Sequence, residues 1–305
     1  MTGAGGFLGR RIAARLAEAG FGIRTMTRHP RADWPGDVRL PGLEAPLGDF
    51  RAGLRDATHV VHCAALNTDA GPVNEAGLMS SNAELPARLA EAAKAEGVQR
   101  VVFLSSTRAV VGAGESAIID ASTEARPACA YGRSKLAGEQ AVLAALRHGG
   151  SQPLILRLPP AYGAGMRGNL ASLMRLARLP VPLPLAGISG RRTLVAADAV
   201  GDAVLSLLTV ALPSGRIYVA GDAFPVTIAD IVGAFRQGFA RSPWLFPVPV
   251  TVLRAGASLL GKAAIWDSLA ATQICDSSAL IAEGWTPCPD SRPGLAAAAS
   301  AFRAV

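Results

Sequence analysis

The chain has 305 residues, is half apolar and has a mean hydropathy of +0.31, so it can bury a large core as one extended domain or two packed ones. Its net charge of +7 is carried by 27 arginines and three lysines spread along the chain with 5% aromatics, which excludes the basic, aromatic-interleaved run of a nucleic-acid surface. Four cysteines without paired spacing and four histidines without ligand spacing exclude a disulfide scaffold and a metal site, and reduced thiols fit a cytoplasmic protein.

The chain opens on Met1-Thr2-Gly3-Ala4-Gly5-Gly6-Phe7-Leu8-Gly9, with Ile12, Leu16 and Ala19 following at helical spacing. This predicts a loop that feeds a helix. Glycines at 3, 6 and 9 allow a tight turn, close backbone approach to a pyrophosphate and close packing of helix on sheet, with the helix N-terminus facing the phosphates. A strand pattern from Gly22 to Thr27 completes a βαβ unit. In a doubly wound fold a buried strand precedes such a loop, and here only Met1 and Thr2 stand in its place. The first strand is therefore expected to be largely missing, with a natural start several residues upstream.

Strand-like and helical patterns alternate to about residue 165, which argues an α/β fold with a Rossmann-like doubly wound parallel sheet over residues 1–165. Pro180, Pro182 and Pro184 then mark an irregular lid. Within 191–222, the segments Thr193 to Ala197 and Arg216 to Ala220 are expected to return to the sheet, while residues 166–305 supply a smaller, helix-rich substrate-binding part. The apolar stretch from Leu245 to Leu260 predicts a buried cap helix presenting Val252, Leu253, Leu259 and Leu260. A membrane-surface helix is the alternative, and its flanking charges are too sparse for a basic face. Arg254, Lys262 and Asp267 interrupt the run, so no transmembrane segment is expected.

Tyr131-Gly132-Arg133-Ser134-Lys135 begins another predicted helix, and the four-residue spacing puts both side chains on one face. A phenol with an ordinary pKa of about 10 serves as acid or base near neutrality only where a fixed cation favours the phenolate, and Lys135 is that cation. A solvated surface pair is the alternative.

With the glycine loop and this pair in place, the sequence resembles the extended short-chain dehydrogenase/reductases, specifically the NAD(P)-dependent nucleotide-sugar epimerase/dehydratase family. Thr2 to Gly9, Val60 to Ala65, Asn82, Val101 to Thr107, Tyr131 to Glu139 (YGRSKLAGE) and Arg157 to Gly163 (RLPPAYG) carry the likeness. MRGNLASLMRLA, LPLAG, RRTLVAADAV and EGWTP in the second half resemble sugar-nucleotide epimerases and 4-ketoreductases of bacterial surface-polysaccharide pathways. The resemblance implies Thr107, Tyr131 and Lys135 as catalytic residues. It implies cofactor contacts at Gly3, Gly6, Phe7, Leu8, Gly9, Asp49, Phe50, Cys63, Ala64, Ala65, Ser105, Tyr131, Lys135 and Pro159, with Asp49 and Phe50 meeting the adenine. Asn169 and Arg192 would hold the substrate diphosphate, and a homodimer is left open. Departures are Thr107 where serine is commoner, Val111 for a frequent tyrosine, and Asp267 or Ser268 near the place of another nucleotide-binding arginine.

The segment Thr25-Met26-Thr27-Arg28-His29 lacks the acid that accepts hydrogen bonds from the ribose of NAD, and Arg28 can bind a 2′-phosphate or stack on adenine. NADP(H) is favoured over NAD(H). The expected reaction is reduction of a UDP-4-keto-6-deoxy-hexose type substrate, with UDP-sugar 4-epimerisation close behind. A ketoreductase for small hydrophobic carbonyls and a noncatalytic NADPH-binding sensor stand behind both. Dehydration is disfavoured because Arg108 and Ala109 follow Thr107 where an acid is needed.

Overall fold

The computed structural model describes residues 1–30, 36–67, 73–259, 261 and 263–302, except for the side chains of 263–265. Strands β1 (Thr25–Thr27), β2 (Asp37–Arg39), β3 (His59–His62) and β4 (Arg100–Ser106) belong to one parallel sheet, β5 (Ala117–Ile119) leaves it, and β6 (Gln152–Leu158) returns. The ribbon of β7 (Ala161–Tyr162) with β9 (Val195–Ala196) stands apart. Strand β8 (Arg191–Arg192) joins a second sheet, and β10 (Arg216–Val219) pairs beside β6. The second sheet is completed by β11 (Val226–Thr227) and β12 (Gln273–Cys275), in the order β11-β8-β12-β5.

The main sheet runs β10-β6-β4-β3, then β1-β2, and Thr2 joins the two parts by parallel bridges to His62 and Met26. The amide of Thr2 donates to Val61 O (3.0 Å), Met26 N to Met1 O (2.8 Å) and Cys63 N to Thr2 O (3.2 Å). Residues 1 and 2 thus make the ladder bonds of a central strand. Beyond them β1 and β3 flank a cavity of about 430 Å³ whose lining includes Met1, Leu16, Ile23, Leu54 and Val61. The Met1 amine donates to Arg24 O at 2.6 Å, and burial pushes its pKa down to about 6.

Alternation along the central strands sets the two faces. Val102 and Leu104 of β4 and Leu154, Leu156 and Leu158 of β6 face one core, whereas Val101, Phe103 and Ile155 face the other. Helices α1 (Phe7–Glu18) and α7 (Ala197–Thr209) cover the first face. The second is covered by α2 (Leu47–Leu54), α4 (Leu85–Ala95) and α5 (Ala130–Leu146), with α3 (Glu75–Met79) entering α4 through a π turn at Ser80–Glu84. A separate apolar cluster joins α6 (Gly168–Ala177), α8 (Ile228–Gly238) and α12 (Ser291–Ser300). A capping box of Thr227 and Asp230 starts α8, which satisfies two of its free amides.

Two sequence expectations change here. Arg216–Val219 does pair with β6, but Val195–Ala196 pairs with Ala161–Tyr162 outside the main sheet. Pro159 and Pro160 lack the amide hydrogen needed to extend the β6 ladder, and Val195 N donates instead to Pro160 O (3.2 Å). The expected buried cap helix is α9 (Val250–Leu259), which has no fully buried residue. Val250, Val252 and Leu259 are exposed, and only Leu253 and Ala257 pack on the second cluster; Leu260 lies outside the described residues. After α9 come α10 (Ala263–Ala270) and α11 (Ser278–Ala282). No helix among the described residues is long and apolar enough to cross a membrane.

Candidate active site

The first turn of α5 is set by Cys129, whose Sγ accepts a hydrogen bond from Gly132 N (3.3 Å). Two glycines then let this helix approach its neighbours closely. A Cβ at Gly132 would lie 2.2 Å from Arg108 O, and one at Gly138 would lie 2.1 Å from Asn82 O. The first contact seats the turn Thr107–Ala109, at the carboxyl end of β4, against the start of α5. Thr107 and Tyr131 therefore come from two elements locked together.

Lys135, one turn after Tyr131, is fully buried and donates from Nζ to Leu104 O at 2.7 Å. Its amine also stands 4.1 Å from the centroid of the Phe103 ring. Burial pushes the amine down to about 8, opposed mainly by the Glu139 carboxylate. Asn82 fixes the same helix from outside: Nδ2 donates to Leu66 O (2.8 Å) and Ser134 Oγ (2.9 Å), while Oδ1 accepts from Leu66 N (2.8 Å).

Beneath the pair lies a buried ionic network that sequence reading did not find. Arg157 donates through Nη2 to Glu139 Oε2 (2.7 Å) and through Nε to Oε1 (3.0 Å), both side chains being almost completely enclosed. Ser105, expected at the cofactor, instead donates its hydroxyl to Glu139 Oε1 at 2.5 Å. Strand alternation turns the Ser105 side chain toward α5 and β6. The Tyr131-to-Glu139 segment contained the signal, because Glu139 lies four residues beyond Lys135 on the same face.

The glycine loop has the shape of a dinucleotide cradle. Gly3 adopts φ +68°, and a Cβ there would sit 2.5 Å from Ala64 N, so Cys63 and Ala64 close directly under it. A Cβ at Gly9 would lie 2.0 Å from Gly3 O, whereas Gly5 has open space beside it. Gly6 caps α1 without a side-chain acceptor, so amides of the first turn are free for an anion. These features fit a dinucleotide diphosphate.

Phe7 and Leu8 occupy that first turn, but their side chains pack into the second and first clusters respectively. The Arg11 guanidinium also stacks on the Phe7 ring at 4.6 Å. Asp49 is exposed in the first turn of α2, whereas Phe50 is fully buried in the core. The apolar face of α2 claims the Phe50 ring. Ala65 is exposed just past β3, and Pro159 is buried where β6 ends. Arg28 is exposed after β1, as a 2′-phosphate ligand requires. The neighbouring strand brings up an acid that linear reading overlooked: Asp37 accepts from Thr25 Oγ1 (2.7 Å) and Thr27 Oγ1 (3.2 Å).

On the substrate side, Asn169 is exposed in the first turn of α6. Arg192 is partly buried and donates through Nη2 to Ser268 O (2.9 Å) and Leu269 O (2.8 Å). The second guanidinium near Arg192 comes from Arg108, which the sequence marked only as the absence of an acid. Burial, then the charge of Arg108, pushes Arg192 down to about 10.

The profile of the NAD dependent epimerase/dehydratase family matches residues 1–221. A UDP-glucose 4-epimerase of Vibrio cholerae is 29% identical over 99% of this chain and 94% of its own. A dTDP-4-dehydrorhamnose reductase of Mycobacterium tuberculosis is 31% identical over 57% of this chain and 54% of its own. Among solved structures, MoeE5 in complex with UDP-glucuronic acid and NAD superimposes with a TM-score of 0.78 at 24% identity, covering 98% of this chain and 97% of that one. The UDP-N-acetylglucosamine 4-epimerase of Bacillus cereus gives 0.78 at 20%, covering 98% and 96%. With its glycine cradle and buried lysine one turn beyond a tyrosine, the chain belongs to the NAD-dependent epimerase/dehydratase family of extended short-chain dehydrogenase/reductase enzymes.

Proposed function

We propose that this enzyme oxidises and reduces a sugar carbon of a nucleoside-diphosphate sugar, with 4-epimerisation of a UDP-sugar as the leading reading. The observation that carries it is Lys135, a buried cation on the helix face of Tyr131. A bound nicotinamide supplies and accepts the hydride. Tyr131 removes the sugar hydroxyl proton as hydride leaves and returns a proton to the new hydroxyl oxygen. Lys135 favours the phenolate form of Tyr131 and holds the nicotinamide ribose, while Thr107 hydrogen-bonds the reacting oxygen. Asn169 and Arg192 hold the diphosphate, which leaves the sugar ring as the part able to turn between hydride transfers.

Whole-length similarity to a UDP-glucose 4-epimerase favours epimerisation. Reduction of a 4-keto-6-deoxy sugar is the second reading, favoured by Arg28 and its preference for the 2′-phosphate of NADP(H). The Asp37 carboxylate beside β1 opposes that preference. Incubation with UDP-glucose or UDP-N-acetylglucosamine and no added reductant is expected to interconvert the 4-epimers, followed by NMR. Stoichiometric NADPH oxidation by a UDP-4-keto-6-deoxy sugar, without epimerisation, would select the reductase. Absence of both reactions rejects the nucleotide-sugar reading.

The cavity between β1 and β3 lies beyond residues 1 and 2, and its lining is mixed, with Leu16, Ile23, Leu54 and Val61 beside Arg24, Asp56 and His59. Four added residues of the Val-Ile type ahead of Met1 are expected to enter it and raise the melting temperature by several degrees, through burial of about 1.5–3 kcal/mol per apolar side chain less the ordering cost. An unchanged melting temperature would show that the slot does not accept a strand.

A further inference from the structure

Arg108 stands in the turn after β4 and Arg192 on β8, and Gln273, the register partner of Arg192, donates to Gly112 O (2.7 Å) in the loop that follows Arg108, so the two arginines sit on adjoining segments. Each retains a buried nitrogen without a hydrogen-bond partner, Nη1 of Arg108 and Nε of Arg192. Neither forms an ion pair with a carboxylate among the described residues. Around Arg108 stand the thiols of Cys129 and Cys275 and the carboxylate of Glu115, and burial outweighs all three in pushing its pKa down. Arg192 is anchored on the last carbonyls of α10, which orients it without neutralising it. Two half-buried like charges with unused donors form a costly arrangement, and an anion shared between them offsets that cost.

We propose that Arg108 is a second diphosphate-binding residue, which together with Arg192 clamps the diphosphate of the substrate. This rests on the nucleotide-sugar reading above. Charge matching supports a group carrying two negative charges, and the planar forks of two arginines suit its oxygens. Position supports it as well, because Arg108 directly follows Thr107 in the chain. Loss of the acid that dehydration would need and gain of a phosphate ligand are then one substitution with two effects.

The test is calorimetric titration of the cofactor-loaded enzyme and its Arg108→Gln variant with UDP and with UMP. Arg108→Gln is expected to weaken UDP by at least tenfold, to change UMP by less than threefold and to leave cofactor affinity unchanged. Arg108→Lys, which keeps the charge but not the fork, should fall between. Because the free protein carries an uncompensated buried cation, Arg108→Gln should melt no lower than wild type without ligand and gain less from UDP, which also checks folding. Unaltered UDP affinity in a folded Arg108→Gln protein, or equal losses for UDP and UMP, would overturn the clamp while leaving the nucleotide-sugar reading intact. Wild-type protein that binds none of UDP, TDP and GDP would overturn both.

Discussion

Tyr131→Phe is expected to lower turnover by about 10³-fold, the usual loss when a positioned proton donor is removed. The phenyl ring keeps the shape of the residue, and Asn82, Ser134 and the glycine contacts of α5 are untouched. Cofactor affinity should therefore remain within about twofold, measured by fluorescence titration. The pair works through Lys135, whose pKa lies near 8 where an ordinary lysine has 10.5. Its cation is present below that value and lost as pH rises through it, so kcat/KM, which reports the free enzyme, should fall on an alkaline limb near pH 8. For stability this group acts with the opposite sign. Burying the ammonium costs free energy at low pH, and that cost is relieved between pH 8 and 10.5. A Tyr131→Phe protein that retains a tenth of wild-type turnover would remove Tyr131 from the proton path.

Glu139→Gln should destabilise the protein by about 3–5 kcal/mol, because it strands the Arg157 guanidinium in the core. For a chain of this size that corresponds to a melting temperature lower by on the order of 10 °C. A second consequence separates positioning from mere support. Glu139 also raises the Lys135 pKa, so its neutralisation should shift the alkaline limb of kcat/KM below pH 8. Replacing the pair together, as Glu139→Leu with Arg157→Met, is expected to recover much of the stability, since well-packed apolar groups often substitute for buried ions. The displaced pH profile should persist in that double variant. A limb that stays near pH 8 in both would confine Glu139 to holding the fold.

Periodicity and spacing reach only as far as the next turn of an element, and what they could specify they specified. The glycine loop before α1 follows from Gly3, Gly6 and Gly9, because a tight turn and a close helix contact demand residues without a Cβ. The shared face of Tyr131 and Lys135 follows from helix geometry alone. The continuous apolar runs Val101–Leu104 in β4 and Leu154–Leu156 in β6 suit a sheet covered on both sides. Tertiary structure alone decided which partners those faces meet. It gave the Ser105 hydroxyl to Glu139, put Phe50 into the core and left α9 largely uncovered. It also set Asp37 beside Thr27 and brought the loop after Arg108 against Gln273, the register partner of Arg192. Burial and charge at each of these positions are set by elements distant in the chain, and one-dimensional spacing carries no measure of that proximity.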